Sequence, residues 1–395
     1  MKKHFIKFIS FFMAIFILIP TISLADTFGV EDKFTSYLVI NSDSGEILGE
    51  YESEKVLPIA SITKLMTYNI VKDSIKAGKI SLTDEVTITK EMAEIPGSSF
   101  NLKEGEVLTV DDLLKGMLVV SGNDAAKALA ITVGGNEEAF VKLMNKKAEE
   151  IGLEHAKFYN ASGYPVDDKE NEMSTKDICK MTDYILKEYP EILDYSKIRI
   201  LDYPSRGFKR KSSIPLLGEV KGVDGLKTGT TDKAGHCVVT TMKVNENTKE
   251  KPYRVIIVAM GASSKEERDK ADKYIAEYIR QNFGIVNLTT KDEEYSTLRV
   301  NSSQTRDVKV YVDETVTKMV DKSKGINYVE KVDDNIKAPF KAGEKIGTLT
   351  IMNGGKPVKE VGLVVKEDYK KASFFTRVRR SLSWAFRLTR ELLYV

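Results

Sequence analysis

The spacing of apolar residues changes three times between residues 34 and 282, and the order of those changes limits the folds open to the chain. Residues 34–40 and Glu46–Tyr51 alternate as strands around Asn41-Ser-Asp-Ser-Gly45, which predicts a β-hairpin. Helical spacing then takes over in Ile62–Ala77, closed by Gly78, and in a segment opened by Thr109-Val-Asp-Asp112 and running to Val119. Asp124–Val133 and Glu137–Ile151 continue it, the latter ended by Gly152. Gly235–Val244 and Arg254–Met260 return to β-rich texture, and Lys265–Asn282 reads as a closing helix. A hairpin, a block of helices, more strands and a last helix predict an α+β domain, an antiparallel sheet with helices packed on it. From Asp307 to Lys366 short runs (Val308–Val312, Ile346–Ile351, Val361–Val365) alternate with Gly, Asn, Asp and Lys, which predicts a small all-β domain.

The two ends differ from this body. Residues 1–25 carry Lys2, Lys3 and Lys7, an apolar run from Phe5 to Ile19, and Ser23-Leu24-Ala25 with small residues where a signal peptidase cuts. That is a signal peptide or, on the other reading, a retained anchor; both put the body outside the cytoplasmic membrane. Residues 370–395 place Phe374, Phe375, Val378, Leu382, Ala385, Phe386, Thr389, Leu392 and Leu393 on one helical arc. Arg379, Arg380, Arg387 and Arg390 lie opposite. This is the pattern of an amphipathic helix lying on an anionic membrane surface; a helix docked on the protein's own core is the plainer alternative.

The charge of +2, from 60 basic and 58 acidic residues, hides this division: +3 in 1–25, +6 in 370–395 and −7 between. An acidic body argues against nucleic acid as a partner. Three histidines leave no histidine-rich metal site, and Cys179 and Cys237 make no disulfide scaffold. They read as small buried hydrophobes, or as a pair.

Three short segments carry chemistry. Ser61-Ile-Thr-Lys64 brings a hydroxyl and an amine onto one face of a helix start, where free N–H groups suit an oxyanion. A lysine serves as base to a serine only if it is neutral, so its pKa must fall from about 10.4. Taken alone, the tetrad is a capping serine and a surface lysine. Ser121-Gly-Asn123 offers a hydroxyl and an amide on a turn between helices; Ser99-Phe-Asn101 fits the same spacing. Lys227-Thr-Gly229, within Gly225–Thr231, reads as a strand with Lys227 and Gly229 on one face and room at the glycine for a substrate backbone. Thr228 and Thr230 there can donate to a carboxylate; a solvated turn is the plainer reading.

Together and in this order, the segments resemble the penicillin-recognising serine enzymes. The resemblance is closest to low-molecular-mass D-alanyl-D-alanine carboxypeptidases of the penicillin-binding protein 5-like family. It extends through Pro58–Thr67, Gly97-Ser-Ser-Phe100, Asp112–Met117, Phe158-Tyr-Asn-Ala-Ser-Gly163 and Val223–Gly235. The middle motif is Ser-Gly-Asn rather than Ser-Asp-Asn, which leans away from class A β-lactamases. The resemblance implies domains at 26–285 (catalytic) and 286–369 (small, β-rich), and an anchoring helix at 370–395. It implies no cofactor and no metal. The substrate would be a peptidoglycan stem peptide ending in D-Ala-D-Ala, with β-lactams as covalent inhibitors. Ser61 would attack the carbonyl, Lys64 take its proton, and Ser121 and Lys227 pass one to the leaving D-alanine. Asn123 would hold the substrate amide, and Ser61 and Thr230 N–H groups would form the oxyanion hole. Thr228, Thr230 and Arg268, the last by its place in the 265–282 helix, would receive the carboxylate, with Gly229 lining the strand. A transpeptidase, a β-lactamase and a non-catalytic wall-binding scaffold are the rival readings.

Overall fold

A computed structural model describes residues 27–380, apart from 247 and 334–335. The leader 1–25 and the tail beyond 380 lie outside the described residues. The framework is a five-stranded antiparallel sheet in the order Glu46–Tyr51, Ser36–Asn41, Tyr253–Ala262, Gly235–Val244, Val223–Thr231. Alternation divides its side chains between two cores. Val255, Ile257 and Ala259 face the helix Lys265–Asn282 through Ala271, Ile275 and Ile279. Ile256, Val258 and Met260 face the helical block, meeting Leu65, Leu113, Leu129 and Ile178 in one buried cluster. The sheet is therefore covered on both sides, as the expected α+β architecture requires.

Sequence and structure agree where local chemistry sets the ends. Glu137–Ile151 starts after Asn136, whose side chain accepts from Ala139 N–H, and stops at Gly152 in the left-handed region. Val110–Val119 starts at Thr109, paired reciprocally with Asp112. The first helix differs. The expected Ile62–Ala77 divides into a 3-10 turn at Ala60–Thr63 and an α-helix at Lys64–Lys76. Ala60 takes a φ of 48°, so the chain enters the turn through a left-handed residue rather than a cap. A helix absent from the sequence expectations, Thr175–Glu188, packs Ile178, Met181 and Ile185 beneath the sheet.

The strand Phe283–Thr289 follows the last helix directly and pairs with Val316–Asp321. Phe283 lies in the second core and Leu288 in a third, so this strand carries the chain from one domain into the next, across the 285/286 position expected for the boundary. The C-terminal domain is all-β as expected. Its sheet runs Glu294–Arg299, Asp307–Val312, Lys356–Val364, Lys345–Asn353, Ile326–Val332 over Val308, Val310, Leu349, Ile351 and Leu363. Residues 374–380 are helical, with Phe374 and Phe375 66% and 83% exposed. Arg380 ties this helix to the domain by donating to Asn301, Ser303 and Gln304 carbonyls. No helix among the described residues is long and apolar enough to cross a membrane.

An ion pair between the buried Asp224 and the partly buried Arg254 fixes the end of the edge strand. Arg254 donates to both oxygens of Asp224, at 3.0 and 2.8 Å, and Thr241 Oγ1 donates to the same carboxylate at 2.8 Å. Removing one member leaves the other buried and unpaired, a loss of about 3–5 kcal/mol. Asp224→Ala is expected to lose roughly that much stability, read as a lower denaturant midpoint, and Arg254→Met to lose less than Arg254→Glu.

Candidate active site

The 3-10 turn, the turn after Val119 and the edge strand converge on one cleft of about 330 Å³, lined by Ser61, Asn123 and Thr230 among others. Lys64 begins the first α-helix one turn beyond Ser61 and is wholly buried. Its Nζ donates to Asn123 Oδ1 at 2.7 Å and to the Ser162 carbonyl at 2.6 Å, and lies 2.7 Å from Ser61 Oγ. Burial, with the Lys227 charge nearby, pushes this amine well below the ordinary lysine range, and the Asp124 carboxylate opposes the shift.

Ser121 holds its turn in the left-handed region, at φ 62°, between the helices Val110–Val119 and Asn123–Gly134. That backbone is costly for a non-glycine residue and directs the hydroxyl to Lys227 Nζ, 2.8 Å away. Lys227 also donates to its neighbour's carbonyl, at Thr228. It is fully buried, and burial, followed by the Arg268 charge, lowers its pKa to about 7. Asn123 is fixed through Nδ2, which donates to Pro96 O at 2.7 Å. The competing Ser99-Phe-Asn101 serves Asp124 instead, to which Ser99 Oγ and the Phe100 and Leu102 N–H groups all donate.

The strand register puts Lys227 opposite Val239 and Gly229 opposite Cys237, both in the core beneath the helical block. Thr228 lies opposite Val238, and so faces the side of the last helix. One expectation is corrected. The space at Gly229 does not admit substrate backbone: a Cβ there would sit 2.9 Å from Ile59 O and 3.1 Å from Ser61 N. The glycine lets the strand press against the turn that carries Ser61.

Arg268 is buried on the last helix and donates through Nε and Nη2 to Asp269 Oδ1. Its charge acts on Lys227 and on His236, whose Nδ1 lies 3.2 Å from Thr230 Oγ1. Cys179 and Cys237 are both buried and free, their thiols pushed up by burial. Among the described residues no cluster of His, Cys, Asp and Glu could hold a metal.

Sequence reasoning missed the loop 160–163. Asn160 Oδ1 accepts from the Ser162 and Gly163 N–H groups, and Thr67 Oγ1 donates to Ala161 O. Asn171 Nδ2 donates to Thr63 Oγ1 and to Asn160 O. The loop thus holds the Ser162 carbonyl against Lys64, while Gly163, at φ 79°, passes so close to Ala60 that a Cβ would overlap its carbonyl oxygen. The asparagine and glycine of Phe158–Gly163 were the only signal in the sequence.

With that geometry in hand, the comparisons with known proteins bear on a defined site. Residues 29–264 match the D-alanyl-D-alanine carboxypeptidase family of peptidases, and residues 283–371 match the penicillin-binding protein 5 C-terminal domain. The chain belongs to the D-alanyl-D-alanine carboxypeptidase family. It is 31% identical to D-alanyl-D-alanine carboxypeptidase DacF of Bacillus subtilis, over 88% of each chain. Penicillin-binding protein 5 of Haemophilus influenzae shares 28% identity at a TM-score of 0.62, over 86% of this chain and 98% of that one. Penicillin-binding protein D2 of Listeria monocytogenes, solved in an ampicillin-bound form, shares 31% identity at 0.55, over 61% of this chain and 95% of that one. The protein is thus a serine hydrolase with the penicillin-binding-protein fold, and the matches fall on the carboxypeptidase reading rather than on its rivals.

The low pKa of Lys227 has a consequence for this carboxypeptidase's stability. The unfolded chain holds the lysine proton up to about pH 10.4, whereas the folded chain releases it near pH 7. Between those values the unfolded state binds more protons, so stability rises with pH. Denaturation midpoints are expected to increase from pH 7 to pH 9.5, and Lys227→Met is expected to shrink that increase.

Proposed function

We propose that this enzyme removes the terminal D-alanine from peptidoglycan stem peptides through an ester on Ser61. The observation that carries the reading is the set of groups around Lys64. Asn123 Oδ1 and the Ser162 carbonyl can only accept, so a neutral amine spends both its N–H bonds on them. Its lone pair is then left for the Ser61 hydroxyl, 2.7 Å away. Lys64 takes the proton as Ser61 Oγ attacks the D-alanyl carbonyl. The Ser61 and Thr230 N–H groups receive the developing oxyanion.

Collapse of the tetrahedral intermediate breaks the C–N bond, and the departing amine takes a proton from the Lys227–Ser121 pair. A Lys227 pKa of about 7 suits such a donor at neutral pH. Thr228, Thr230 and Arg268 receive the terminal carboxylate, and Asn123 holds the substrate amide. Water then hydrolyses the ester, and a penicillin acylates the same serine without ready release. The edge strand Val223–Thr231 has sheet on one side only, leaving its other edge for an extended peptide.

We assign residues 1–25 to export, 26–285 to catalysis, 286–369 to a β-rich support and 370–395 to attachment at the outer face of the membrane. Support for the last comes from the exposed Phe374 and Phe375 and from Arg377 and Arg379 on the same short helix.

Ser61→Ala is expected to abolish both D-alanine release and covalent labelling by a fluorescent penicillin while the thermal midpoint stays near wild type. Mass spectrometry of the wild-type adduct should find the acyl group on Ser61; labelling that persists in the variant overturns the assignment. Deleting 371–395 is expected to move the enzyme from membranes to the soluble fraction with activity on a soluble peptide kept. Continued sedimentation with membranes would refute the tail reading.

A further inference from the structure

The two N–H groups proposed to receive the oxyanion belong to different elements. Ser61 lies on the 3-10 turn Ala60–Thr63, and Thr230 near the end of the edge strand Val223–Thr231. The elements touch at Gly229, where the strand comes against Ile59 O and Ser61 N, yet among the described residues no hydrogen bond joins turn to strand. Packing contact is not directional, so it does not by itself fix how far apart the two donors stand. That spacing needs a group that grips both elements.

Residues 170 and 171 grip both. Asn171 holds the turn at its two ends: its carbonyl accepts from Ile59 N–H at 2.9 Å, and its Nδ2 donates to Thr63 Oγ1 at 2.9 Å. Nδ2 also donates to Asn160 O, which fastens the loop that holds Ser162 O against Lys64. The preceding residue, Glu170, reaches the strand. Its Oε2 accepts from Thr231 Oγ1 at 2.6 Å, and that same Oγ1 accepts from Ala234 N–H at 3.0 Å. Thr231 is the neighbour of Thr230 and lines the Ser61 cleft. A carboxylate only accepts, so the Thr231 hydroxyl points its proton at Glu170 and its lone pairs at the following turn. Glu170 is 6% exposed and has no ion-pair partner among the described residues. A carboxylate taken out of water against one neutral hydroxyl adds little stability. Lys233, whose Nζ donates to Asp168 O at 3.0 Å, already ties the strand end to the same segment at the surface. What the buried acid adds is direction.

We propose that Glu170 is a positioning residue: acting through Thr231, it holds the Thr230 N–H at the distance from the Ser61 N–H that the oxyanion needs. This rests on the proposed function of the Ser61 cleft. The charge on the oxygen develops only as Ser61 Oγ attacks, so a displaced donor weakens the transition state and leaves substrate binding nearly untouched.

The test uses the full-length enzyme and four variants: Glu170→Gln, Glu170→Ala, Thr231→Val and the double variant Glu170→Ala/Thr231→Val. D-Alanine release from a pentapeptide ending in D-Ala-D-Ala gives kcat and KM, and a fluorescent penicillin at saturation gives the acylation rate. Glu170→Ala is expected to lose about tenfold or more in kcat and in acylation rate, with KM changed by less than about twofold. Glu170→Gln, whose amide oxygen still accepts from Thr231, is expected to restore most of the rate. Thr231→Val should match Glu170→Ala, and the double variant should lose no more than either single one. Wild-type kcat in Glu170→Ala, a loss carried by KM, a Gln variant as slow as the Ala variant, or additive losses in the double variant would each overturn the inference. Should Glu170→Ala fail to fold, shown by loss of its thermal transition, Thr231→Val decides by the same kcat and KM criteria. Wild-type enzyme that is acylated by the penicillin but releases no D-alanine overturns the proposed function alone, because the acylation rates still report on the oxyanion donors.

Discussion

The site depends on an amine that the fold has taken out of water without giving it a counter-charge in hydrogen-bond contact. Lys64 is fully buried, and the groups it touches are an amide oxygen, a backbone carbonyl and a hydroxyl. Neutral acceptors orient an amine but do little to stabilise its charge, so desolvation prevails and the proton is lost readily. A carboxylate in direct contact would have reversed this. Asp124 is near enough to act on Lys64, yet its oxygens are spent on Ser99 and on the Phe100 and Leu102 N–H groups. The second buried amine, Lys227, disfavours charge on Lys64 further. Two lysines in one cleft thus avoid the repulsion of two ammonium groups by losing their protons readily.

Such an arrangement is stable only if each acceptor is held by something else. Ser162 O is held by the loop 160–163, which is in turn fastened by Asn160, by Asn171 and by Thr67. Asn123 is held at Nδ2 by Pro96 O. Two glycines with no chemistry of their own then permit the close approaches: Gly163 to Ala60, and Gly229 to the turn of Ser61. Left-handed backbone at Ala60 and Ser121 is the conformational cost of aiming both hydroxyls inward.

This division explains what could be read from the amino acids. Elements whose ends are set by neighbours a few residues away, such as Glu137–Ile151 with Asn136 and Gly152, or the strand Gly235–Val244, emerged with the limits the structure has. So did the three motifs, because side-chain chemistry at fixed spacing is a local property. Thr175–Glu188 was missed although its signals are just as local: Ser174 caps it through Asp177, and Ile178, Met181 and Ile185 mark its buried face. What could not be read was set by distant chain. The 3-10 turn at Ala60–Thr63 exists because strand and loop press on it from Gly229 and Gly163. Ser162 contributes a backbone carbonyl, which any residue could supply, so no residue type signals it. The space at Gly229 was misjudged for the same reason: a missing Cβ reveals that something comes near, not whether it is substrate or the protein's own backbone.

The scattering of the site over the chain also follows from the geometry. Ser61 and Lys64 share one turn, so their separation is fixed within the helix start, but Ser121 and Lys227 come from elements that meet only when both cores have formed. The strand bearing Lys227 is at the sheet edge, where one flank lacks a partner strand, and its far end is pinned by Arg254 on Asp224. An edge strand held in this way is rigid enough to fix an amine and open enough to align a peptide. Moving Lys227 to a central strand would have supplied the rigidity and removed the edge. The five-stranded sheet therefore does more than carry the site: the order of its strands decides which of its residues can meet both the catalytic turn and an extended substrate.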